Sequence, residues 1–145
     1  MGTQQLLLTV LGVIVVGIAV AIAIVLFSGN AQSSNRDAVT QDLVSIAAVA
    51  QEYYRKPAIF AGGGNSFNGF NLSPTDTGNE NGSYSVDVAP SSSPVYKPGS
   101  TTPIPNPTQT IYLIGCGKEI GDDEMDPVKV CLKVTLDSLV SFPIN

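Results

Sequence analysis

Histidine is absent from this chain, and its seven lysines and arginines form no basic run. The first absence removes the commonest general base and the commonest metal ligand. The second argues against nucleic-acid binding, because phosphate neutralisation needs a clustered positive footprint and this chain has a net charge of −5. Cysteine is scarce too: Cys116 and Cys131 are the only two, and without histidine they cannot complete an ordinary four-ligand zinc site. The triple glycine Gly62-Gly63-Gly64 is followed by neither Gly-Lys-Ser/Thr nor GxGxxG, so it reads as a loop or close-packing device and not as a phosphate cradle. With no nucleophile–base pair and no metal constellation, the chain reads as neither an enzyme nor a cofactor carrier.

Charge is missing altogether from the first thirty-five residues; Arg36 is the first to carry any. Leu6 to Phe27 is an almost unbroken aliphatic run in which sixteen of twenty-two residues are Leu, Ile, Val or Phe. As a helix it would be roughly 33 Å long, enough to cross a bilayer core of ~30 Å. It has no polar face, so it does not read as a surface helix of a soluble domain. A removed secretory signal would bring a basic n-region and a shorter apolar stretch, although Gly29 and Ala31 offer small residues for cleavage. The segment is therefore expected to stay in the mature molecule.

Downstream the pattern changes twice. Ser28 to Asn35 is a weak helix stretch, readable as a flexible joint or as a continuous helix able to melt locally. From Asn35, read as an N-cap, Val39, Leu43, Ile46, Ala50 and Tyr53 step by four, three, four and three, a single stripe facing a partner surface. Pro57 disfavours helical geometry at Lys56 and ends the helix. The expected organisation is an apolar transmembrane or core helix over 1–30, an amphipathic neck over 31–56 and a β-rich head over 57–145. In the head, 83–88, 111–116 and 128–134 read as strands, 136–144 as a short edge strand, and 89–110 as an extended loop rich in Pro, Ser and Thr. The fold class is α+β: one long helix packed on a small antiparallel sheet.

Fourteen residues separate Cys116 from Cys131, with strand-like sequence on both sides. Cys116 and Cys131 are expected to be bonded, a disulfide that would contribute about 3 kcal/mol in the chain-entropy model; the other reading is a pair of buried free thiols. Between them Asp122, Asp123, Glu124 and Asp126 form an acidic run that is a weak calcium candidate, because hard cations want several carboxylate oxygens. It lacks EF-hand spacing, and a solvated hairpin loop is the plainer account. Asn81-Gly82-Ser83 is an N-glycosylation sequon, and Thr101, Thr102 and Thr108 are candidate O-glycan sites.

Read with Met1 as the mature first residue, the start resembles a type IV pilin or pseudopilin. The likeness lies in Gln5 and the run Leu6-Leu7-Leu8, and then in Arg36-Asp37-Ala38, Ile46-Ala47-Ala48 and Tyr53-Tyr54-Arg55-Lys56-Pro57, where pilins carry their second half-helix. The paired cysteines of the C-terminal hairpin are similar to the loop that many pilins close with a disulfide. The resemblance implies assembly through Met1, Gln5, Leu6, Val13 and Gly17, with a processed and methylated first residue. It departs from the family pattern at Gln5, which replaces a glutamate, and in having no proline in the first half-helix. A neutral amide at residue 5 would still accept a hydrogen bond from a neighbour's N-terminal amine, at lower cost in lipid.

The function so implied is structural. The chain would be a subunit of an extracellular, adhesive helical filament, held in the inner (cytoplasmic) membrane before the pilus assembly machinery packs it against identical copies. The competing expectation is a secretion-machine pseudopilin, or a monomeric membrane-anchored module whose head binds a ligand.

Overall fold

The computed structural model describes residues 2–88, 103–104, 108–121 and 126–144. One α-helix, α1, runs unbroken over Gly2–Arg55, a rod of roughly 80 Å at ~1.5 Å per residue. The small polar residues Ser28 to Asn35 are helical throughout, so no joint interrupts the rod. Asn35 consequently caps nothing: it lies inside α1, and its amide is used elsewhere.

A 3-10 turn, Ala58–Phe60, follows Pro57. The chain then doubles back onto the end of the helix. The amides of Gly63, Gly64 and Asn65 donate to the carbonyls of Tyr53 (2.8 Å), Lys56 (3.0 Å) and Tyr54 (3.0 Å), satisfying acceptors that the last helical turn leaves open. The triple glycine is what permits this approach. A Cβ built on Gly63 would lie 1.8 Å from the Ser66 carbonyl oxygen, and one on Gly62 would lie 2.2 Å from that of Lys56.

The head is a four-stranded antiparallel meander in the order β1 (Gly82–Asp87), β2 (Ile111–Ile120), β3 (Pro127–Val134) and β4 (Leu139–Pro143). The expected α+β arrangement is therefore the observed one. Alternation along the strands turns Val86, Leu113 and Leu132 to the same side, where they pair across the sheet and are buried. The second half of α1 lies on that face through Val39, Leu43, Ile46, Ala47, Ala50 and Tyr54. Gly115 makes the seat, because a Cβ there would meet Val39 Cγ1 at 2.5 Å.

The stripe differs from expectation at its end. Tyr54, not Tyr53, enters the core and packs on Phe67 at 4.9 Å, since the last step along the buried face is four residues. Tyr53 stays half-buried, stacks on Phe70 at 5.4 Å and donates its hydroxyl to the Asn68 carbonyl.

The cysteines also depart from expectation. Cys116 stands opposite Lys129 and Cys131 opposite Ile114 on adjacent strands, so the two thiols are diagonal neighbours on the face away from α1. Diagonal pairs have Cα atoms about 7–8 Å apart, beyond the usual disulfide span of about 4.4–6.8 Å. Both are free and buried. Burial pushes the Cys116 thiol up, and it pushes that of Cys131 up to about 11, so both are protonated and unreactive at neutral pH. The folded state thus holds this proton more tightly than the unfolded chain does. The Cys131 contribution is present below the ordinary thiol value of 9.0 and is lost as pH rises toward about 11. Intact mass after alkylation of unfolded, non-reduced protein should show two labels, and the folded protein at neutral pH should label slowly. A mass that excludes labelling until reductant is added would contradict the free-thiol geometry.

Candidate functional site: an uncovered apolar half-helix

Among the described residues, no side chain in the first half of α1 is buried. All sixteen large aliphatic and aromatic side chains from Leu6 to Phe27 are exposed, from 49% at Val10 to 77% at Phe27, and the first buried residue of α1 is Val39. A full transfer of each from water is worth ~1.5–3 kcal/mol. An uncovered apolar surface of this extent marks an interaction site with lipid or protein. The segment is long and apolar enough to cross a membrane.

Leu6, Val13 and Gly17 all lie on this uncovered segment, and beyond the adjoining helix backbone neither Gly12 nor Gly17 has an atom within 4 Å of where a Cβ would stand. Their small size serves no packing within the chain. Gln5 is exposed at the start of the segment, where its backbone carbonyl accepts a bond from the Thr9 hydroxyl at 2.9 Å. Met1 lies outside the described residues.

Where the bare half-helix gives way to the packed half, Asn35 clamps the head onto the rod. Its Nδ2 donates to the Asn81 carbonyl at 3.0 Å. Its Oδ1 accepts from the amides of Lys118 (3.1 Å) and Glu119 (3.4 Å), where the β2–β3 register slips and those amides need acceptors. Gly117 leaves room for the amide, because a Cβ there would sit 2.0 Å from Asn35 Oδ1. Further along, Gln51 donates to the Thr135 carbonyl at 2.8 Å.

A second knot surrounds Asp42. Its Oδ2 accepts from the Tyr84 hydroxyl (2.6 Å), Asn79 Nδ2 (2.8 Å) and Asn81 Nδ2 (2.8 Å). Burial works to raise this carboxyl, but the three hydrogen bonds outweigh it and hold it below its ordinary value. The stability this adds is present above the ordinary carboxylate range and is lost as pH falls through the lowered value. Asp42→Ala should cost about 1.5–3 kcal/mol, the usual contribution of hydrogen bonds to a charged acceptor. Denaturant midpoints measured at neutral pH and near pH 3 should differ for the parent more than for the variant. An equal acid loss in both would remove Asp42 as the cause.

The sequon residue belongs to this knot: Asn81 is half-buried and its side-chain nitrogen donates to Asp42. Thr108 is also half-buried with its hydroxyl enclosed; Thr101 and Thr102 lie outside the described residues. In the calcium candidate, Asp126 pairs with Lys129 Nζ at 2.8 Å, while Asp122, Asp123 and Glu124 lie outside the described residues. Among the described residues no group of three or more potential metal ligands comes together.

Sequence reasoning missed Asn35 and Asp42 as head-to-helix contacts. The closest signal was the turn-forming Asn79-Glu80-Asn81-Gly82 and a lone aspartate beside the apolar stripe. Neither feature names its partner. No protein family, curated protein or solved structure matches the chain.

Proposed function

We propose that this chain is the structural subunit of a helical, type IV pilus-like extracellular filament, held in the cytoplasmic membrane by α1 before assembly. The observation that carries the reading is the bare half of α1, continuous with a half that is firmly seated on a head. Such a segment is content in lipid and equally content among copies of itself, because bilayer and helix bundle are similarly apolar. Moving from one to the other therefore costs little, whereas release into water would expose all sixteen side chains. No side chain before Arg36 is charged, so no side-chain ion opposes either state. Gln5 would enter the fibre as a neutral hydrogen-bonding group.

The test is electron microscopy of material sheared from cells producing the chain, with mass spectrometry of the filaments. Filaments composed of this chain support the reading. Retention of the chain in the membrane fraction, with no filament under any expression level, would favour an anchored monomer or a short pseudopilin-like assembly.

A further inference from the structure

The sheet has two edges, and the chain treats them differently. Along β1 the Tyr84 amide donates to the Thr77 carbonyl and the Asn79 amide to the Gly82 carbonyl, both at 2.9 Å, so the preceding loop covers that edge. Nothing among the described residues pairs with the outer edge of β4. Leu139, Val140 and Phe142 on β4, and Ile144 after it, are 36% to 51% exposed.

The hydrogen bonding of β4 fixes what this edge presents. The Ile144 amide donates to the Lys129 carbonyl at 2.9 Å, and the Thr135 amide to the Ser138 carbonyl at 3.0 Å. Backbone groups alternate sides along a strand, so Ser138, Val140, Phe142 and Ile144 are spent on β3, while Leu139, Ser141 and Pro143 turn theirs outward. Leu139 and Ser141 therefore offer an N–H and a C=O each, and Pro143 a carbonyl alone. Natural edges are usually blunted by charge, a bulge or a covering segment. Here Pro143 blunts one position, the β3–β4 register runs without a shift, and Ser138 to Asn145 carry no charged side chain.

We propose that β4 is a self-pairing edge, adding antiparallel to β4 of a second copy with Ser141 facing Ser141, so that two heads share one continuous sheet. The occupant follows from the pattern, because the edge matches its own reverse. In this register each Ser141 amide meets the facing Ser141 carbonyl, and each Leu139 amide meets the facing Pro143 carbonyl. Every outward N–H is used, and the missing proline N–H leaves one carbonyl per copy, that of Leu139, to water. Val140 of one copy lies against Phe142 of the other in a close, non-hydrogen-bonded pair. Two copies of net charge −5 repel, but no charged side chain of β4 enters the contact.

The two-fold axis of an antiparallel strand pair stands perpendicular to the sheet. The α1 rods, which lie along the sheets, therefore run in opposite directions in the two copies. Neighbours in one membrane or one fibre share a direction and cannot make this contact. It would instead tie together fibres running in opposite directions, a consequence that rests on the proposed function, whereas the pairing itself does not.

Sedimentation equilibrium of the full chain in detergent should show a reversible doubling of protein mass with rising concentration, favoured by salt because screening weakens the repulsion. Ser141→Pro removes only an outward N–H and leaves the bonds to β3, so it should abolish the dimer without moving the melting temperature of the head. Facing residues of a hydrogen-bonded pair have Cα atoms about 5.5 Å apart, so Ser141→Cys should cross-link into dimers on mild oxidation. Ser45→Cys, exposed on α1, should not. A chain that stays monomeric at every concentration, or a dimer that survives Ser141→Pro, would overturn the pairing. A Ser141-dependent dimer from a chain that forms no filament would sink the proposed function and leave the pairing standing. Where filaments form, those of the parent should bundle and those of Ser141→Pro lie singly; bundles unchanged by the substitution would remove the link between fibres.

Discussion

Val13→Asp should abolish filaments while leaving the head folded. Val13 is 69% exposed in the single chain and sits far before Val39, the first buried residue of α1, so the substitution removes no contact within the subunit. Its cost arises only when the segment is covered. An aspartate at the centre of a membrane helix costs ~2.5–3.5 kcal/mol on insertion scales, which the remaining apolar side chains of Leu6–Phe27 can carry, so the variant should still reach the membrane. In a packed core of helices the same carboxylate is buried and unpaired, at several kcal/mol per subunit. Because every copy repeats that loss, assembly should fail entirely. The measurement is a filament count by electron microscopy of sheared material, with cell fractionation and the head's melting curve alongside. Val13→Leu should retain filaments. Normal filaments from Val13→Asp would show that this part of α1 is not a buried fibre core.

Leu43→Ala addresses the other half of the helix and should cost about 2–5 kcal/mol of head stability, the usual range for deleting a buried leucine. Leu43 is fully buried, and its Cδ1 reaches to 3.1 Å from where a Cβ on Gly115 would stand. That glycine is backbone at the centre of the sheet and cannot move inward to fill the void. The value should therefore fall in the upper part of the range. Each kcal/mol shifts the melting temperature of a domain this size by roughly 4–8 °C, so circular dichroism of the detergent-solubilised chain suffices. A melting temperature unchanged by the substitution would mean that the helix–sheet face contributes little to the folded state. Val44→Ala is the matched control, because Val44 is exposed on the same helix.

These two substitutions separate what one continuous helix does in two places. The first half of α1 is apolar all round and exposed among the described residues, whereas the second half has a single buried stripe and a seat on the sheet. The head is held without a covalent staple. Its junction with the rod relies on the Val39–Tyr54 face, the Asn35 clamp and the Asp42 knot, each of which crosses from the helix to chain more than thirty residues away.

The parts of this architecture legible in the sequence are those carried by near neighbours. A charge-free aliphatic run, the three-and-four spacing of Val39, Leu43, Ile46 and Ala50, the stop at Pro57 and the alternation in Ser83–Val88 are each set within a few residues. They sufficed for one long helix on an antiparallel sheet. What tertiary structure alone decided depends on register and on distant partners. The cysteines share a face yet lie two residues out of step across the β2–β3 ladder, and only the pairing of the strands sets that offset. Asn81 matches a glycan acceptor in isolation, but its nitrogen is taken by Asp42, thirty-nine residues earlier. Tyr54 displaced Tyr53 from the core because where the sheet lies, and not the period of the helix, selects between adjacent positions. Local spacing dictates which backbone forms, but the partner of a side chain is chosen by the fold that brings distant strands and helices together.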